Sequence, residues 1–161
     1  MAEQRLGIIM NGVTGRMGTN QHLIRSVLAI MREGGVKLQN GDTVMPDPIL
    51  VGRDAAKVEA LAKERGIERW TTDLDAAIAD PKDSLFFDAA STNLRAGLLR
   101  QAIDAGKDIY CEKPCAMNIQ ECQELDNNIK KHRRVFQAGT QRRSVPNFRL
   151  AADLALNGKL G

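Results

Sequence analysis

Leu6-Gly7-Ile8-Ile9-Met10-Asn11-Gly12-Val13-Thr14-Gly15-Arg16-Met17-Gly18 decides how this chain is read. A short apolar strand, residues 6–10, runs straight into three glycines spaced G-x-x-G-x-x-G, and a long helical pattern follows. A pyrophosphate needs backbone N–H groups at a helix N-terminus and no side chain blocking its approach. A glycine turn placed between an N-terminal strand and a helix meets both needs, although the spacing alone also describes an ordinary tight turn. Thr14, Arg16 and Met17 would lie along the bound dinucleotide.

Outward from that turn, strand-like and helix-like segments alternate, the pattern of a parallel sheet covered by helices. The first helix runs to about residue 32, with Met17, Leu23, Ile24, Val27, Leu28 and Met31 on one face. Further strands are expected at 48–51, 69–71, 84–89, 107–111 and 135–138. Helices are expected at about 55–65, before Pro81, at 94–105 and 118–132, and from Pro146 on. Gly66 and Gly106 stand where helices must stop. The fold class is doubly wound α/β. Residues 33–46 exceed what a helix-to-strand connection needs, and Asn40-Gly41 inside them is a strong hairpin signal. A β-hairpin insertion is therefore expected at about 33–47, beside the sheet or on a partner subunit.

Bulk composition excludes several classes. At 161 residues the chain is read as one domain, 1–161, and 43% hydrophobic residues suffice for a core. A net charge of +3, evenly scattered, does not suit a nucleic-acid partner. No apolar run approaches the ~20 residues of a membrane span, and the N-terminus lacks signal-peptide form. Three cysteines without metal-ligand spacing fit free thiols in a reducing compartment, hence a cytoplasmic protein with no metal.

Two strand ends carry the remaining chemistry. After residues 48–51 come Gly52-Arg53-Asp54. NAD readers place an acid there for the adenosine ribose, and NADP readers offer Arg to the 2′-phosphate. Glycine stands in the acid's place, so NADP is expected ahead of NAD, held by Arg53 with Lys57 one turn on. Otherwise Arg53 is a solvated loop residue and Asp54 only caps the next helix. The other strand ends in Tyr110-Cys111-Glu112-Lys113-Pro114. A lysine there can reach the nicotinamide ribose and a substrate hydroxyl, whose developing alkoxide its charge would stabilise. Taken alone, Lys-Pro is a surface turn. Cys111 and Cys115 read as packing residues, with a redox pair as the alternative; His22 and His132 read as structural.

The glycine turn and Glu112-Lys113-Pro114 together resemble the nucleotide-binding half of the glucose–fructose oxidoreductase and inositol dehydrogenase family (Gfo/Idh/MocA) over nearly the whole chain. The resemblance implies a Rossmann-type domain of an oxidoreductase that transfers hydride between NADP or NAD and a sugar or polyol. Lys113 is then catalytic or substrate-binding, and Glu112 neighbours the ribose. Ser91, Thr92 and Asn93 keep small polar groups for the cofactor, where many members carry Thr-Pro and a following histidine. Gln141 and Arg142 resemble the family's loop on the substrate side, or else cap the last helix. The implied cofactor contacts are Gly12, Thr14, Gly15, Arg16, Met17, Arg53, Ser91, Thr92, Asn93, Glu112 and Lys113. Family members continue into a C-terminal substrate domain with an Asp/His pair, absent here, so the chain is read as a fragment or a short relative. A homo-oligomer is expected. The alternative function is a non-catalytic nucleotide sensor or interaction module. Dihydrodipicolinate reductase shares Gly15-Arg16-Met17-Gly18 but is discounted, since its substrate motif is missing.

Overall fold

Why the strands pair as they do follows from β1 (Glu3–Asn11), whose residues alternate between two buried faces. Ile8 and Met10 join one apolar cluster, Ile9 the other. A strand buried on both sides reads as a continuous apolar run and belongs in a parallel sheet. In the computed structural model, which describes residues 2–160, β1 is flanked by β3 (Thr43–Val51) and β5 (Asp83–Asp88). The further strands are β2 (Val36–Lys37), β4 (Trp70–Thr71), β6 (Asp108–Glu112) and β7 (Phe136–Gly139). Their order is β2-β3-β1-β5-β6-β7, with β4 also on β3. Among the described residues only the β2–β3 pairing is antiparallel. From β1 the chain winds to β3 and then returns to β5 on the other side. That reversal makes a topological switch point at the carboxyl ends of β1 and β5, where open α/β sheets bind ligands. The doubly wound fold expected from the sequence is present.

Helices cover both faces. On one, a segment at Met17–Val27 continues as α1 (Leu28–Arg32) and packs beside α2 (Ala55–Arg65), burying Leu23, Leu28, Val58 and Leu61. On the other lie α3 (Leu74–Ala79), α4 (Thr92–Asp104) and α5 (Ile119–His132), with Ile78, Leu99 and Ile103 in the core. Local chemistry sets their ends. Asp54 accepts from the Lys57 N–H at 3.2 Å to start α2, and Gly66 stops it at φ 67°. The last helix, α6 (Pro146–Leu156), buries no residue. Among the described residues no helix is long and apolar enough to cross a membrane.

Three expectations need revision. Met17–Val27 is wound with π-type bonds, as in Leu28 N–H to Leu23 C=O, where the apolar spacing predicts an α-helix. Met17, assigned to the apolar face, is 42% exposed. The hairpin exists, with Gly41 at φ 86° in its turn and Val36 opposite Val44. Its second arm is not an excursion, however: it runs on as β3, so residues 43–47 pair with β1 inside the sheet. Pro46 and Pro48 disguised this. They share the parity of Leu50, whose N–H turns outward to Arg69 C=O at 2.9 Å. β4 reaches only Leu50 and Val51, so the missing proline N–H groups interrupt no ladder.

Candidate functional site

The three glycines after β1 do different work. Gly12 sits at φ +76°, and a Cβ there would lie 2.5 Å from the Ala90 nitrogen. A Cβ at Gly18 would lie 2.5 Å from Gly12 O and 2.8 Å from Val13 Cα, so that glycine lets helix and turn pack. Gly15 is different: its N–H bonds Gly12 O at 3.1 Å, and a Cβ would meet nothing nearer than Gly12 O at 3.4 Å. Of the three, only Gly15 leaves free space, on the exposed side with Thr14, Arg16 and Met17. The helix begins at Met17 with no side-chain cap and no acidic residue in its first turn. Its first N–H groups therefore face a site that suits an anion.

Beside this turn ends β3. A Cβ on Gly52 would stand 2.6 Å from Val58 Cγ2 and 3.4 Å from Thr14 Cγ2, so packing excludes an acid there. Arg53 is exposed. The Lys57 ammonium, one turn on, pairs with Asp54 at 3.3 Å at the surface. The Lys57 backbone N–H, and then its side chain, hold the Asp54 carboxyl below its usual range.

On the far side of the switch point, Asp88 is fully buried at the end of β5 and accepts from Asn11 Nδ2 (2.8 Å) and Arg95 Nε (2.7 Å). Arg95, 2% exposed, also donates to the carbonyls of Ala90 and Pro114. It thereby ties the start of α4 to the turn after β6. Ser91 and Asn93 are exposed above it, and Thr92 is half-buried.

At the end of β6 the Lys113–Pro114 peptide is cis and Lys113 is exposed. Glu112 points the other way. It is 5% exposed, within 2.6 Å of His22 Nε2, bonded to the Gln141 amide, and accepts its neighbour's N–H (Lys113) at 3.2 Å. Its carboxylate thus lies engaged beneath the site. Above it opens a cleft of about 620 Å³ lined by Met17, His22, Tyr110, Lys113, Gln141 and Arg142. The Arg142 guanidinium stacks on Phe148 at 5.0 Å. Cys111 is buried and Cys115 packs against the same cluster. Burial pushes both thiols up, Cys111 far above its usual 9.0, so both stay protonated at neutral pH, as packing residues would.

The model of the oxidoreductase family with an NAD-binding Rossmann fold (Gfo/Idh/MocA) matches residues 47–140. The chain belongs to that family. A D-xylose dehydrogenase of Paenarthrobacter nicotinovorans is 48% identical over 118 residues, 73% of this chain and 30% of the relative. The NAD(+) scyllo-inositol 2-dehydrogenase of Bacillus subtilis is 27% identical over 145 residues, 88% of this chain and 42% of the relative. A solved levoglucosan dehydrogenase in complex with NADH and levoglucosan has a TM-score of 0.78 at 25% identity, covering 98% of this chain and 41% of that one. The chain spans well under half the length of these relatives.

Within this oxidoreductase-family domain, sequence reading missed Asp88, Arg95, Asn11 and the engagement of His22. Asn11 with Asp88 and His22 with Glu112 join residues distant in sequence, and Arg95, seven residues after Asp88, meets it only because α4 folds back over the end of β5. The one available signal was the loss of the family's histidine near Arg95, whose buried guanidinium now bridges the two loops.

Proposed function

We propose that this chain is the dinucleotide-binding domain, 1–161, of an oxidoreductase that moves hydride between a nicotinamide cofactor and a sugar or polyol. The observation that carries the proposal is the meeting of the open Gly15 cradle and the exposed Lys113 on one carboxyl edge of the sheet. Similarity to xylose, inositol and levoglucosan dehydrogenases supports the substrate class.

The N–H groups of Arg16 and Met17, beside the open space at Gly15, would hold the pyrophosphate, with Gly12 shaping the turn and Thr14 alongside. Ser91, Thr92 and Asn93 would edge the cofactor beyond β5. When bound, the nicotinamide ring supplies the centre that accepts or gives hydride. Lys113 would contact the ribose and the substrate oxygen, stabilising negative charge as it develops there. Gly52 and Arg53 favour NADP over NAD, with Arg53 as the 2′-phosphate ligand and Lys57 one turn on beside it. Free thiols at Cys111, Cys115 and Cys122 support a reducing, cytoplasmic setting. Exposed Phe148, Leu150 and Leu156 on α6 support a homo-oligomer.

Calorimetric titration of the chain with NADPH and NADH tests this reading. NADPH should bind more tightly, and Arg53→Ala should weaken it by about 1.5–3 kcal/mol, the scale of a charge-assisted bond. Equal affinities would remove the NADP preference, and no binding of either would remove the function.

A further inference from the structure

His22 lies 90 positions before Glu112, yet its Nε2 stands 2.6 Å from Glu112 Oε1, with both side chains buried. The imidazole packs against two aromatic rings that stack on each other, its centroid 4.6 Å from that of Phe87 and 5.7 Å from that of Tyr110. Glu112 Oε1 also accepts from the Gln141 amide, and Oε2 accepts from the backbone N–H of Lys113. An ionised carboxylate only accepts, so the shared proton belongs on His22 Nε2. Three donors converge on one buried group: from the helix after the glycine turn, the turn after β6, and the turn after β7. A buried carboxylate that loses a donor is poorly solvated and moves to recover one. The Lys113 backbone, bonded to the same carboxylate, moves with it.

We propose that His22 is a positioning residue: through Glu112 it fixes the turn that presents Lys113, and so couples Lys113 to the helix whose N-terminus faces the phosphates. The inference rests on the dinucleotide-binding reading above. It assigns His22, read from the sequence as merely structural, a share in ligand binding without contact to the ligand.

The test uses the whole 161-residue chain and NADPH as the probe. His22→Phe keeps a ring against Phe87 and Tyr110 but has no N–H; His22→Gln restores a donor. His132→Gln, at the surface pair with Asp104 (3.2 Å), is the control and should bind as wild type. His22→Phe should weaken NADPH by on the order of tenfold, the scale of one bond to a charged group. His22→Gln should recover most of that loss. The losses in His22→Phe and Lys113→Ala should be non-additive in a double-mutant cycle. Nitrogen-15 NMR should show the His22 proton on Nε2. A folded His22→Phe variant with wild-type affinity, additive losses, or no recovery in His22→Gln would overturn the inference. If His22→Phe does not fold, a neutral His22 with its proton on Nδ1, or His22→Gln binding no better than Lys113→Ala, overturns it. Absence of dinucleotide binding in the wild type is a distinct result, which defeats the functional reading beneath it.

Discussion

Alanine at Gly12 and alanine at Gly15 should separate folding from binding within four residues of the same turn. At Gly12 the backbone is left-handed, φ +76°, which costs an L-residue about 1–2 kcal/mol. The new methyl would also press on the Ala90 backbone at 2.5 Å, adding roughly 1–3 kcal/mol of overpacking. Gly12→Ala should therefore lose about 2–5 kcal/mol of stability, a fall of roughly 5–15 °C in melting temperature for a chain of this size. At Gly15 the methyl meets only Gly12 O at 3.4 Å, and φ is not left-handed. Gly15→Ala should be neutral or gain about 0.4–1 kcal/mol through the unfolded state. Its methyl fills the space a phosphate would enter, however, so dinucleotide affinity should fall by on the order of tenfold, about 1.4 kcal/mol. Urea denaturation and calorimetric titration measure the two quantities separately. A Gly12→Ala variant as stable as wild type, or a Gly15→Ala variant that binds normally, would refute the division of labour.

Other sites give sharper checks on single interactions. Arg95→Leu leaves Asp88 buried and unpaired and should lose about 3–5 kcal/mol in urea unfolding, whereas Arg95→Leu with Asp88→Leu should recover much of it. Alkaline pH should destabilise the fold through Cys111. Burial keeps its folded thiol protonated while the unfolded one ionises above 9.0, so stability falls as pH rises past that value, by up to about 1.4 kcal/mol per unit. Tyr110, raised by burial, adds to the fall above 10.0. Lys107, lowered by burial, opposes it between its depressed value and 10.5. Unfolding at a series of pH values on either side of 9.0 should show a shallower decline in Cys111→Ala.

Strand and helix order was legible because each element carries its own signal: a two-sided apolar run at Ile8, Ile9 and Met10, a cap at Asp54, stops at Gly66 and Gly106. Lys113 was legible as well, since the strand before it and the proline after it fix where it must sit. Three features were not. Pro46 and Pro48 hid the length of β3, because an edge without a neighbour tolerates proline and sequence does not reveal which edge is free. The glycine pattern showed that close approaches occur but not which atoms approach; only packing distinguishes Gly15 from Gly12 and Gly18. Glu112 is buried at the end of β6 while Lys113, just past it, is exposed, a difference that sequence adjacency does not show. What Glu112 meets inside, His22 and Gln141, depends on tertiary packing alone.

The central claim is that a nicotinamide dinucleotide binds at the carboxyl edge, across the switch point between β1 and β5. Amide chemical-shift mapping of the nitrogen-15-labelled chain during NADP titration tests it most directly. Saturable shifts are expected at Gly12, Gly15, Arg16, Met17 and Arg53, at Ser91 and Thr92, and at Lys113. Shifts confined to α5, α6 or the amino edge of the sheet, or no shifts at saturating NADP and NAD, would contradict it.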